Sequence, residues 1–452
     1  MIHTRALFFI CSLTLCRTIS AQVPAIDKND KARVVIVTDL GGQDPKRPGA
    51  FDPDDTESMI HLLVCSNTLD IEAIVSGMAW TSEPNRTSYI FDLWNNVEKV
   101  IPNLQKQAEG FPSIDYLRSI TKQGPLQAHM EAVGEGKDTE GSEFIIKVVD
   151  KDDPRPVWLT TWCGSAAIAQ ALWKVQHTRS EAELKQFISK IRIYDVLGQD
   201  DCGSWIAATF PDLIYLRNNK VYGWTPSDDW FKENVQAVKP LGDYYPTRMW
   251  SWEGDTVGFL NFLANGLNNF EHWTYGGWGG RFTSTKHANE GGMGSRNSDF
   301  SKWGDYYMYV SEPEGIEAVN RYKETILNDF AARMIWSSTS DFSKANHHPK
   351  AILNGDNSLQ TIYKNVKAGE TIRLDASASS DIDGNSLTYK YSLYSEPSSY
   401  KGEININEAN TSKCSINIPQ DAQGKNFHII LEVMDNGTPA LTSYRRVVVN
   451  VQ

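Results

Sequence analysis

The sequence predicts an α/β domain on a mostly parallel sheet with helices on both faces, followed by an all-β, immunoglobulin-like sandwich. Three observations carry this expectation. From Lys31 onward, near-continuous apolar, β-branched runs alternate with helical patterns, as strands buried on both faces do. A long helical stretch, "EGIEAVNRYKETILNDFAARMIWSS", closes that pattern near residue 338. Beyond about residue 350, only period-2 runs with turn residues between them remain.

The elements follow in order. An N-terminal Arg5, the apolar run "ALFFICSLTLC" and "RTISA" predict an export signal over residues 1–21, too short to stay in a bilayer. A lipoprotein anchor on Cys16 is disfavoured, because Leu15 is bulkier than such cleavage sites prefer. "ARVVIVTDL" is then a strand, "DDTESMIHLLVCS" a helix, "LDIEAIVSGM" a strand and "RTSYIFDLWNNVEKVI" a helix. "RPVWLTTW", "KIRIYDVLG" and "DLIYLRN" read as further strands, with the helix "GSAAIAQALWKV" among them. The α/β domain is expected over 31–338, a linker over 339–350 and the sandwich over 351–452.

Composition bounds the function. At 452 residues, 40% hydrophobic and 22% charged, the chain is an ordinary globular protein of two domains. A net charge of -12 argues against nucleic acid or an anionic membrane as partner. Export would leave Cys65, Cys163, Cys202 and Cys414, too few and too scattered for a disulfide framework, and none has a His at zinc-like spacing. The 14 tryptophans are many for so polar a chain; most are expected in the core, and some as flat platforms for sugar rings. A homo-oligomer stays open.

Residues 34–64, "VVIVTDLGGQDPKRPGAFDPDDTESMIHLLV", begin as a strand and end as a helix, with Asp39, Asp44, Asp52, Asp54 and Asp55 between. Like charges this close repel unless a cation, a partner or water holds them. Asp54 or Asp55 can cap the helix, where a carboxylate accepts backbone N–H bonds and suits the dipole. The alternative is a hard-cation site, since calcium takes about six to eight oxygen ligands, which a strand end and a helix start can supply. The spacing alone supports both.

The same stretch resembles the N-terminal signature of nucleoside hydrolases, a strand-end Asp followed by an Asp-Asp pair opening a helix. It is more similar still to an exported nucleoside hydrolase-like family named for cellulose binding. Asp39, Pro53, Asp54, Asp55 and Ser58 match that pattern, here with a lengthened loop. "AVGEGKDTEGSEFII" (132–146), "LTTWCGSAAIAQALW" (159–173), "LGQDDCGSWI" (197–206) and the region 253–282 follow in the family's order. "DASASSDIDGNSLTY" resembles the polycystic-kidney-disease-type or cadherin-like sandwiches appended to such domains.

The resemblance implies that Asp39 and Asp55 bind calcium, with Asp39 also taking a proton from a metal-bound water and Asp54 left to hold sugar hydroxyls. A backbone carbonyl near Thr161 and a late carboxylate, Asp255 in preference to Glu253, would complete the ligands, leaving Glu253 to the substrate. Asp255 reads equally as an N-cap of a helix starting at Thr256. His129, Glu135 and Glu143 flank the Gly-rich loop and are candidates to protonate a leaving group, although a lone His is as readily structural. Asp200 and Asp201, at another strand's carboxyl end, would hold hydroxyls beside Trp205, or cap a helix beside a core tryptophan. Trp278 and Arg281, in "YGGWGGRF", would line the pocket on a glycine-loosened loop, or pack behind it. Asp375, Asp381, Asp383 and Gly384 are read as Asx-turn chemistry before a calcium loop.

Two departures from the cytosolic nucleoside hydrolases turn the substrate away from nucleosides. "EGDT" stands in the late region with no His before its Asp, and Ser165 and Ala166 replace the more usual Asn-Thr. The expected function is an exported, calcium-dependent glycosidase acting on a glycan fragment. A catalytically silent carbohydrate-binding protein on the same fold is the alternative, and a periplasmic nucleoside hydrolase the third reading.

Overall fold

A computed structural model describes residues 22–41, 53–78, 86–249, 251–296 and 299–452. The predicted export signal, Asp44 and Asp52 lie outside the described residues. One sheet holds strands β1 (Arg33–Thr38), β2 (Asp70–Ser76), β3 (Thr121–Gln123), β4 (Val157–Thr161), β5 (Ile191–Val196), β6 (Ile214–Asn218), β7 (His287–Ala288) and β8 (Tyr307–Val310). Their order is β3-β2-β1-β4-β5-β6-β8-β7, parallel except for the β7–β8 pair. The central strands β1, β2, β4 and β5 are rich in Val, Ile and Leu because both sheet faces are covered there, whereas the short edge strand β3 is Thr-Lys-Gln. One face packs against the helices Glu140–Val149, Ala166–Thr178 and Cys202–Thr209. The other packs against Pro53–Cys65, Arg86–Val97, Ile101–Gln107 and Lys323–Ser338. The strand order reverses between β1 and β4, a switch point outside whose carboxyl ends a crevice opens for ligands.

The stretch read as one long helix is two, Glu317–Asn320 and Lys323–Ser338. Tertiary contacts override its helical pattern at the break. Arg321 bonds Glu396 of the sandwich, and Tyr322 turns its ring edge-on to Tyr394 and Tyr444. The sandwich comprises β9 (Ile362–Val366), β10 (Thr371–Asp375), β11 (Thr388–Tyr394), β12 (Ile406–Asn407), β13 (Lys413–Asn417), β14 (Asn426–Met434) and β15 (Thr442–Val451). They form sheets β10-β13-β12 and β11-β14-β15-β9 around a separate apolar core.

The seam between the domains is built like an interior. Tyr394, Ile430 and Tyr444 of the sandwich belong to the same apolar cluster as one face of the parallel sheet. Arg446, fully buried in β15, donates to the carbonyls of Leu267 at 2.8 Å, Tyr275 at 3.2 Å and Gly276 at 2.6 Å. Three carbonyls suit a cation that burial would otherwise penalise. The four cysteines among the described residues are free and buried, as expected. No helix among the described residues is long and apolar enough to cross a membrane.

Candidate functional site

β1 delivers Asp39 to the switch point, where it is 2% exposed. Across the crevice Pro53 opens a helix at N1, where its missing N–H costs nothing, and sets Asp54 and Asp55 in the first turn. Both carboxylates thus meet the positive end of the helix from within the first turn. Thr38 Oγ1 donates to Asp55 Oδ1 and accepts from Leu40 N at 3.1 Å, which fixes the strand end to the helix start. The Arg86 guanidinium donates to the Asp39 carbonyl. Thr161 ends β4 beside β1, paired in register with Val37, and is fully buried.

A late segment completes the group. Carboxylate oxygens of Asp54, Asp55 and Asp255 all lie within 4.8 Å of one another, and all three residues are buried. A Cβ at Gly254 would lie 2.3 Å from Asp54 Oδ2, so a larger residue there would push that carboxylate out of place. The helix after Asp255 spans Val257–Leu260 with Thr256 at its N-cap, and Gly258 N bonds the Asp255 carbonyl at 2.8 Å.

Glu253 corrects an expectation. Placed on the substrate side from sequence, it is fully buried behind the cluster. His61 Nδ1 lies 2.6 Å from its Oε2, Thr256 Oγ1 donates to Oε2 at 2.5 Å, and Tyr245 OH donates to Oε1. Its own N–H donates to Glu57 Oε2 at 2.7 Å, and its φ of 56° lies in the left-handed region. These bonds hold a strained turn that presents Asp255 to Asp54 and Asp55. Burial, with Glu253, Asp54 and Asp255 nearby, pushes the Glu57 carboxyl up to about 10, so it is neutral. Sequence reasoning missed this buried set; its signal was the polar pair Glu57 and His61, one helical turn apart on an otherwise apolar face.

Asp200 and Asp201 divide. Asp200 is fully buried, and burial pushes its carboxyl up to about 6. Its Oδ1 accepts from Cys202 N at 3.1 Å, while its buried Oδ2 has no hydrogen-bond partner among the described residues. Asp201 is a tie rather than a ligand for sugar hydroxyls. Its oxygens take Met130 N at 3.0 Å, Lys302 Nζ at 2.6 Å and Trp303 Nε1 at 3.1 Å, with His129 Nδ1 at 3.3 Å. His129, at φ 66°, precedes Met130, whose N–H is the one Asp201 holds. Glu135 is exposed on the glycine-rich loop, and Glu143 pairs with Lys174 at 2.5 Å.

Trp205 is half-buried and edge-on to Phe210 at 5.8 Å. Trp278 and Arg281, expected to line the pocket, do not. Trp278 is 2% exposed and meets Tyr444 of the sandwich edge-on, because the sandwich covers this loop. Arg281 pairs with Glu314 at 2.6 Å and Glu312 at 3.3 Å. In the sandwich, Asp375 Oδ1 accepts from Ser377 N, and Asp381 Oδ1 from Asp383 N and Asn385 N, with Gly384 at φ 80°. That is the Asx-turn arrangement.

Residues 33–282 match the family described as cellulose-binding Sde182, nucleoside hydrolase-like domain, and residues 371–451 match the C-terminal domain of cellulose-binding protein Sde0182. A nucleoside hydrolase-related protein from Saccharophagus degradans, associated with carbohydrate metabolism, is 45% identical in its solved structure. That match covers 93% of this chain and 100% of the other, with a TM-score of 0.88. The solution structure of the PKD domain from KIAA 1837 protein is similar at 18% identity over 21% of this chain and 83% of its own, TM-score 0.17. Human CDH23 EC21-23 is similar at 12% identity over 33% and 38%, TM-score 0.18. No curated protein matches the chain significantly.

Proposed function

We propose that this chain, which belongs to the family of cellulose-binding proteins with a nucleoside hydrolase-like domain, binds carbohydrate at the carboxyl end of its parallel sheet. The observation that carries the reading is the convergence of Asp54, Asp55 and Asp255 at the switch point of a fold shared with a carbohydrate-associated relative. Carboxylates accept paired hydroxyl donors, and a crevice at a switch point holds a ring between two loops. A leader over residues 1–21 and action outside the cytoplasm, periplasmic or secreted, belong to the same reading.

A second reading rests on the same carboxylates. Buried, mutually close and all hard oxygen donors, they fit calcium. Asp55 and Asp255 would hold it, with Asp39 and the Thr161 carbonyl, leaving Asp54 for sugar hydroxyls. When bound, calcium supplies the positive charge that neutralises these side chains and makes a nearby water a better nucleophile. Asp39 would then accept a proton, and His129 or Glu135 would give one to a leaving group in a glycosyl hydrolysis.

Calorimetric titration with cellotetraose, with and without calcium, tests both. Binding that is weakened in Asp54→Ala supports the first reading, and absence of binding rejects it. Calcium-dependent release of reducing sugar, lost in Asp39→Asn, would establish the hydrolase. Release of base from a nucleoside instead would restore the third reading.

A further inference from the structure

We propose a second saccharide-binding pocket, on the first domain beside its seam with the sandwich, which rests on the carbohydrate-binding reading above. An open depression of about 400 Å³ lies among Trp230, the short helix Glu317–Asn320 and the start of Lys323–Ser338. Its size falls in the range of small-molecule pockets, about 300–1,000 Å³, and domain seams are where such pockets concentrate.

The lining has the chemistry of sugar recognition. The Trp230 indole is half-buried and fixed: Phe231 meets it edge-on at 5.2 Å and itself stacks on Trp252 at 4.2 Å. A fixed indole offers an apolar face for the C–H side of a pyranose. Asn320, Glu324 and Asn328 recur at four-residue spacing and all line the cavity. Asn320 Nδ2 donates to Glu317 Oε1 at 3.0 Å, while its Oδ1 is buried with no hydrogen-bond partner. The exposed Glu324 carboxylate makes no hydrogen bond or ion pair among the described residues. Amide and carboxylate oxygens in a row suit neighbouring hydroxyl groups.

The cations of the wall are already engaged. Arg321 bonds Glu396 of the sandwich, and Lys323 Nζ donates to the Thr225 carbonyl at 3.0 Å. What remains is an aromatic face with acceptors, which selects a neutral polyol over an anion. A chain of contacts behind Trp230 leads from the pocket toward the carboxylate cluster: Phe231 stacks on Tyr245 at 5.8 Å, whose hydroxyl bonds Glu253, two residues before Asp255.

Calorimetry of the full chain with cellotetraose tests the pocket. The wild type is expected to show two binding events. Trp230→Ala and Glu324→Ala should each weaken one about tenfold or more, and Asp54→Ala the other. Glu324 is on the surface, so its variant keeps the test independent of folding. A single event that only Asp54→Ala weakens, or binding unchanged in both pocket variants, overturns the second pocket alone. No binding to the wild type overturns the carbohydrate reading and this pocket with it.

Discussion

At the amino end of the parallel sheet, Arg33 is fully buried with its Nε 2.5 Å from Glu72 Oε1, and Lys151 Nζ reaches Glu72 Oε2 at 2.6 Å. Arg155 joins Asp153 and Asp70 at 2.8 Å each, and Lys28 closes on Asp153 at 2.9 Å. Burial pushes the Glu72 carboxyl up, yet the bonds from Arg33 and Lys151 hold it below the ordinary range overall. At the carboxyl end, Asp54, Asp55 and Asp255 crowd together, Glu57 is driven neutral behind them and Asp200 is raised beside them. One end answers each buried charge with an opposite one. The other brings three carboxylates within 4.8 Å of one another, with the buried Arg86 guanidinium on the nearby Asp39 carbonyl.

The largest test of that contrast is Arg33→Ala. It leaves Glu72 buried against the half-exposed Lys151 alone, and should lower unfolding free energy by about 3–5 kcal/mol in urea titrations. A loss near zero would show that the amino end is not held by its ion pairs. On the calcium reading proposed above, Asp55→Asn should do the reverse: calcium affinity should fall on the order of 100-fold in calorimetry, while the urea midpoint holds or rises as repulsion eases. A large drop in stability would recast the cluster as structural.

The two ends should also answer pH with opposite signs. Asp200 is raised from 3.8 to about 6, so its contribution is complete below the unfolded value and is lost as pH rises through about 6. Glu72 is lowered from 4.5, so its contribution is present above that value and is lost as pH falls. Asp200→Asn should flatten the decline of the urea midpoint between about pH 4 and 6; an unchanged slope rules the assignment out. Smallest of all, Lys151→Ala removes a pair that is half exposed, and should cost under about 1 kcal/mol.

The strand-to-helix aspartates were legible because a local pattern wrote them. A buried strand ends at Thr38, and Pro53 with two acids opens the helix. Asp255 was legible only as one of two carboxylates two residues apart, and the left-handed turn at Glu253, which sends one inward and one to the cluster, is a long-range result. Trp278 and Arg281 misled for a similar reason. A glycine-rich loop reads as mobile and functional until a second domain covers it, and nothing near residue 278 announces Tyr444. The break at Arg321 and Tyr322 was hidden in the same way, since its cause lies in β11 and β15.

The arginine that plugs the seam has a consequence for modularity. The sandwich resembles an appended module, yet Arg446 finishes the hydrogen bonding of a loop belonging to the other half. Cut at the linker, the first half would keep three orphaned carbonyls and an uncovered tryptophan, and it should clump rather than stay dispersed. Nor could another sandwich of the same shape be grafted in its place, unless its last strand happened to bring an arginine to the same spot.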